Sequence, residues 1–147
     1  MTALAASYQR TRFEGRAPLV VAHPIKAAVI IYAGAIVCRQ AADNLVIPGT
    51  DTAGLVPQGV AMDTLDNSAG AAGTYGPPAE RVIRVDHQGV WSFAIGATTP
   101  KAGDAAYILD DNKVGVAADA TNDIKVGEFL RPTNDGSGQW LVDFSRR

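Results

Sequence analysis

The chain of 147 residues is poor in the side chains that do most chemistry: it has one cysteine, two histidines and few aromatic residues. Each shortage closes off a class of function. With Cys38 alone, no intrachain disulfide can form, so the fold does not depend on an oxidising compartment. A nucleophilic triad needs a base, and His23 and His87 are the only imidazoles; no Gly-x-Ser-x-Gly elbow accompanies them. A pairing of Cys38 with either histidine could arise only through the fold, and an inert buried thiol is the simpler reading. Cys38, His23 and His87 could just supply three zinc ligands, but their spacing matches no finger or catalytic pattern. Neither Gly-x-Gly-x-x-Gly nor a Walker loop is present, so nothing cradles a nucleotide phosphate. Asp110–Asp111–Asn112 opens like a calcium loop, yet Val114 and Thr121 stand where ligands are required, and a hairpin turn fits better. Aspartates are scattered through the loops without a pair that stands out for glycoside hydrolysis. No catalytic residue, metal ligand or cofactor is expected, and the chain reads as a non-enzyme.

Long apolar runs are also missing. Ala27–Val37 is the longest, about half of what a bilayer crossing needs. Met1–Tyr8 leads into Gln9, Arg10, Arg12 and Glu14 with no apolar signal region, so neither membrane nor export is expected. A chain of this length buries roughly 70% of its unfolded surface, enough for a core without staples. Aromatics make up only 7%, so that core must rest on few large residues. Phe13, Tyr32, Trp91, Phe93, Tyr107, Phe129, Trp140 and Phe144 are the candidates, with the Val, Ile and Leu set. Trp91 and Phe93 could instead form a stacking platform for a sugar or base, but Ile95 on the same face favours packing.

Charge is uneven. Within the first forty residues Arg10, Arg12, Arg16, Lys26 and Arg39 face Glu14 alone, although the whole chain carries −2. A basic N-terminal segment on an acidic body suits an acidic protein surface; the arginines are too sparse for a nucleic-acid stripe. Residues 1–22 keep no sustained period and contain Gly15 and Pro18, which predicts an extended arm followed by a β domain over 23–147. Ordering such an arm costs about 1–2 kcal/mol per residue. Burying Phe13 or Val20 returns only about 1.5–3 kcal/mol each, so the arm is expected to order against a neighbour.

From Pro24 onward the pattern is β. Ala28–Ala33 and Ala35–Arg39 flank Gly34, which marks a bulge or turn. Pro48–Asp51 is a turn signal, Leu55–Met62 a strand, and Asp63–Pro78 a long Ser/Ala/Gly loop with Tyr75 as its one aromatic. Arg81–His87 and Val90–Ile95 follow, with Gly89 either a bulge or a hairpin turn. In the second strand Trp91, Phe93 and Ile95 share one face. Ala105–Leu109, Val114–Ala117, Ile124–Leu130 and Gln139–Phe144 complete the set, the last two separated by the Asn134–Gly138 turn. Short strands at roughly ten-residue spacing, with no convincing amphipathic helix, predict a mainly-β small barrel or sandwich with an extended N-terminal arm.

The order of these motifs resembles the tailed-phage capsid decoration, or cement, family. The elements are Tyr32–Ala33–Gly34–Ala35–Ile36–Val37, Gly59–Val60–Ala61, the Val82–Val85 strand with Gly89–Val90, Lys101–Ala102–Gly103–Asp104–Ala105–Ala106–Tyr107, Ile124–Lys125–Val126–Gly127, and Gln139–Trp140–Leu141–Val142. The resemblance spans about three quarters of the chain and implies a β-barrel (β-tulip-like) module. It further implies a protein on the outer capsid surface of the virion that bridges major capsid protein subunits and stabilises the shell. Self-association as a homotrimer, or a dimer, is implied, with assembly in the host cytoplasm and no nucleic-acid or membrane partner. On this reading Tyr8, Arg10, Arg12, Phe13 and Arg16 would carry the arm's contact with a neighbour or the capsid. The alternative is a head fibre or a carbohydrate- or host-surface-binding β-module, with Tyr75 as its exposed aromatic.

Overall fold

The structure, a computed structural model, describes residue 4, residues 12–13, 17–76 and 81–146. Among the described residues there are thirteen strands and no helix. Two sheets carry the molecule. The first is built from β2 (Val20–Pro24), β4 (Ile36–Gln40), β5 (Val46–Pro48), β6 (Leu55–Ala61) and β8 (Val82–Asp86), in the order β2-β8-β6-β4-β5 and antiparallel throughout. It curls until its ends meet, where Ile25 bridges Val46 and the Lys26 N–H donates to the Val46 carbonyl at 3.1 Å. A short ladder of β3 (Ile30–Ile31) and β7 (Leu65–Asp66) accompanies it.

The second sheet holds β9 (Val90–Ile95), β10 (Ala105–Asp110), β11 (Lys113–Gly115), β12 (Lys125–Pro132) and β13 (Trp140–Asp143). It runs β9-β11-β10-β12-β13 and closes through β13 back onto β9, giving a five-stranded barrel. Closure leaves these strands without a long free edge. Only β11 runs parallel to β9, and it covers just the end of that strand, pairing at Ala94 and Ile95. The beginning of β9 on the same side is taken by β1 (Arg12–Phe13), opposite Trp91 and Val90. The mainly-β barrel expected from strand spacing is therefore what the chain forms.

Residue alternation explains how the sheets share a core. On β4, Ile36 and Cys38 point into a cluster shared with the second barrel, where Trp91, Phe93, Ile108, Val126, Phe129 and Phe144 lie. Val37, between them, points the other way into a smaller cluster with Ile25, Ile31, Val46, Ile83 and Val85. Both faces of β4 are thus buried over Ile36, Val37 and Cys38, which is why the strand opens on three apolar residues rather than an alternation. Phe93 and Phe144 stack with ring centroids 5.5 Å apart, and Phe129 meets Trp140 edge-on at 5.9 Å.

Loops lock the two sheets together. The Ile36 N–H donates to the Asp111 carbonyl at 2.8 Å, and Thr50 bridges Asp110. Asp51 accepts the backbone N–H groups of Thr121 at 2.6 Å and Asn122 at 2.9 Å. Asp110 and Asp111 accordingly serve the β10–β11 hairpin and the seam between sheets. In the Asn134–Gly138 turn, the Ser137 hydroxyl and N–H and the Thr133 hydroxyl hold the Asp135 carboxyl down to about 2.

Three local expectations change. Gly89 closes no hairpin, because β8 and β9 belong to different sheets and residues 87–89 cross between them. The loop from Asp63 contains β7, and its buried Asn67 donates to the Lys26 and Ala71 carbonyls while accepting from Arg81. One well-placed amide thus ties down a stretch that offers almost no apolar surface. Residues 20–22, read from sequence as the end of the arm, run in β2 against Asp86, Val85 and Arg84.

Candidate functional site

The short connector between the sheets is where the N-terminal segment attaches. Asp86 ends β8 with its carboxylate fully buried, and Arg12 of β1 donates to it from Nε at 2.9 Å. The Arg12 Nη2 also donates to the Gln88 carbonyl at 3.2 Å. Its guanidinium lies flat over Gly89, where a Cβ would stand only 2.6 Å from Nη2. A side chain at position 89 would therefore unseat the arginine. The same connector holds the chain after β1: Asp86 accepts the Leu19 N–H at 3.2 Å, His87 N–H donates to the Leu19 carbonyl at 2.9 Å, and Gln88 Nε2 donates to the Ala17 carbonyl at 2.7 Å.

Beside it, Phe13 lines an open cleft of about 490 Å³ with Val90, Leu130, Arg131 and Leu141. Further towards the N-terminus, the Leu4 N–H donates to Asp111 at 2.9 Å, and the Leu4 side chain packs against the smaller core. Of the five residues singled out from sequence, the structure brings Arg12 and Phe13 together on the chain's own β9. Tyr8, Arg10 and Arg16 lie outside the described residues. Leu19, Val20 and Val21, just past the seat, are exposed at 51%, 43% and 39%. The sequence reading missed Asp86, Gln88 and Gly89, since an aspartate at a strand end followed by a glycine is also what an ordinary turn looks like.

The chemical candidates disperse. Trp91 and Phe93 are buried in the shared core and offer no stacking face. Tyr75 is 70% exposed but stands as a single ring in its loop. Cys38 is buried between the sheets. His23 and His87 do meet, with Nε2 atoms 2.7 Å apart, while among the described residues no group of three acidic, thiol or imidazole ligands converges.

Comparison with known families then decides the assignment. A family model described as structural cement protein (E217 gp24/Pam3 gp6) matches residues 3–144. The chain belongs to this family of phage structural cement proteins. The match extends well beyond the motifs that carried the resemblance, and it takes in the β1 seat and the connector as well as both barrels. No curated protein matches this cement protein. A structural role accords with the buried Trp91, Phe93 and Cys38, which the fold uses for packing.

Proposed function

We propose that this cement protein binds the outer surface of a phage head and bridges neighbouring major capsid protein subunits, stabilising the shell as a component of the virion. The match to the cement family over residues 3–144 is the observation that carries the reading. On it, the module self-associates, as a homotrimer in preference to a dimer, and joins the head during assembly in the host cytoplasm. Contact with the neighbour runs through the N-terminal segment. Tyr8, Arg10 and Arg16 provide an aromatic anchor and positive charge for an acidic surface. Arg12 and Phe13 root that segment on the connector and β9. The exposed Leu19–Val21 run adjoins the root and supplies apolar area to the same contact.

The test is to add purified protein to heads lacking it and measure occupancy and position by cryo-electron microscopy. A Tyr8→Ala/Arg10→Glu/Arg16→Glu variant, which leaves Leu4, Arg12 and Phe13 in place, is expected to fold normally by circular dichroism yet lose attachment. Occupancy equal to the unaltered protein would remove the arm from the contact. Absence of the unaltered protein from the outer surface would overturn the reading altogether.

A further inference from the structure

The imidazoles of His23 on β2 and His87 in the connector meet end to end. Their Nε2 atoms are 2.7 Å apart and the ring centroids 4.9 Å apart. A bond between two imidazole nitrogens requires a proton on one and a lone pair on the other. The two rings together therefore hold at most three protons while joined. A fourth would set two N–H groups head to head and place two cations in contact.

The surroundings add to that penalty. Burial, and then the positive charge of Arg39 on β4, hold the His23 imidazole below its ordinary value. On β8, Arg84 and Asp86 alternate onto the opposite face from His23, being paired in register with Ala22 and Val20. Each is committed there, Arg84 to Asp63 and Asp86 to Arg12. Lys26, just beyond β2, is paired with Asp43. The strands β3, β5 and β6 carry no ionisable side chain. A metal ion is the other species that converging imidazoles attract. Two nitrogens of a tetrahedral zinc site stand about 3.3 Å apart, given ordinary Zn–N lengths. This pair is closer than that, and Arg39 opposes a cation.

We propose that the His23–His87 pair is an acid-sensitive clasp: protonation of both imidazoles drives the rings apart and, through the His87 backbone, loosens the connector's hold on Leu19 and with it the N-terminal segment. The coupling is short, because the His87 N–H itself donates to the Leu19 carbonyl. The direction follows from the folded state favouring the less protonated pair. The clasp is intact above the unfolded histidine value near ~6.5 and is lost as pH falls below it. This is a property of the protein free in solution and does not depend on head binding.

Two measurements on the full chain test it. Nitrogen-15 NMR of the imidazoles should give two separated, coupled steps, one of them displaced below the ordinary histidine range. Amide hydrogen exchange at Leu19 and His87, corrected for intrinsic rate, should be several-fold faster at about pH 5 than at about pH 7.5, because the opened pair takes up the protons that the joined pair disfavours. The amides of β12 and β13 should keep their protection. A His23→Gln/His87→Gln variant should lose the pH dependence at Leu19. Independent titration of both rings near the ordinary value, unchanged exchange at Leu19, or an equal acid response in the double variant would each overturn the proposal. Should the variant fail to fold, the titration of the unaltered protein decides alone.

Discussion

Arg12 reaches from β1 to a carboxylate, Asp86, that is fully buried. A buried ion pair contributes little net stability over a well-packed apolar pair, but removing one partner strands the other. Asp86 is fully buried, and its second oxygen already accepts the Leu19 and Gln88 N–H groups. Arg12→Met should therefore destabilise the fold by about 3 kcal/mol, at the low end of the range for a broken buried pair because the arginine side chain keeps 22% exposure. Urea unfolding measures this. Adding Asp86→Asn to Arg12→Met should recover part of the loss, since the stranded charge is then gone. If the double variant is as unstable as the two single losses summed, the pair does not act as a unit.

Among the elements, β6 and the connector approach each other closely. A Cβ at Gly59 would lie 1.9 Å from the Asp86 carbonyl oxygen and 3.0 Å from the His87 Cα. Neither neighbour is a flexible side-chain end, so the backbone of the connector must move. Gly59→Ala should cost ~3 kcal/mol or more, by the usual scale of overpacking. Gly54→Ala, also at positive φ but with open space around it, should cost only about 1–2 kcal/mol. Equal losses at the two positions in urea titrations would show that conformation, not crowding, governs Gly59. The strands themselves were largely legible in the sequence. Trp91, Phe93 and Ile95 face the core as alternation requires, and the turns at Gly34 and Asn134–Gly138 fall where their residues put them. What escaped were short strands and contacts that only a partner strand or side chain defines. β5 and β7 are three and two residues long and exist because β4 and β3 lie alongside. Residues 20–22 look like irregular arm until β8 is placed beside them. The arm's root was half visible: the sequence pointed to Arg12 and Phe13, but nothing local marked Asp86, 74 residues away, as the seat.

At the level of the whole molecule, the two sheets share one cluster of side chains. Ile36, Cys38, Leu55 and Val60 of the first sheet pack with the aromatic set of the second. Neither barrel can open without exposing part of the other's interior. Unfolding should accordingly be a single transition. The signal from Trp91 and Trp140, both in the second barrel, should move in urea together with the reactivity of the Cys38 thiol, which sits in the first. A thiol that becomes reactive well before the tryptophan signal changes would mean that the sheets melt separately.

The seat of Arg12 has a mechanical consequence. The Arg12 side chain is bonded to residues 86–88, where the chain passes from one barrel to the other, while its backbone pairs with the start of β9. A pull on the N-terminal segment therefore enters at the seam and divides between both halves. Neither sheet is peeled from an edge, strand by strand, under such tension. To yield there, the ion pair, the hydrogen bonds to Ala17 and Leu19 and the β1 pairing must give way together.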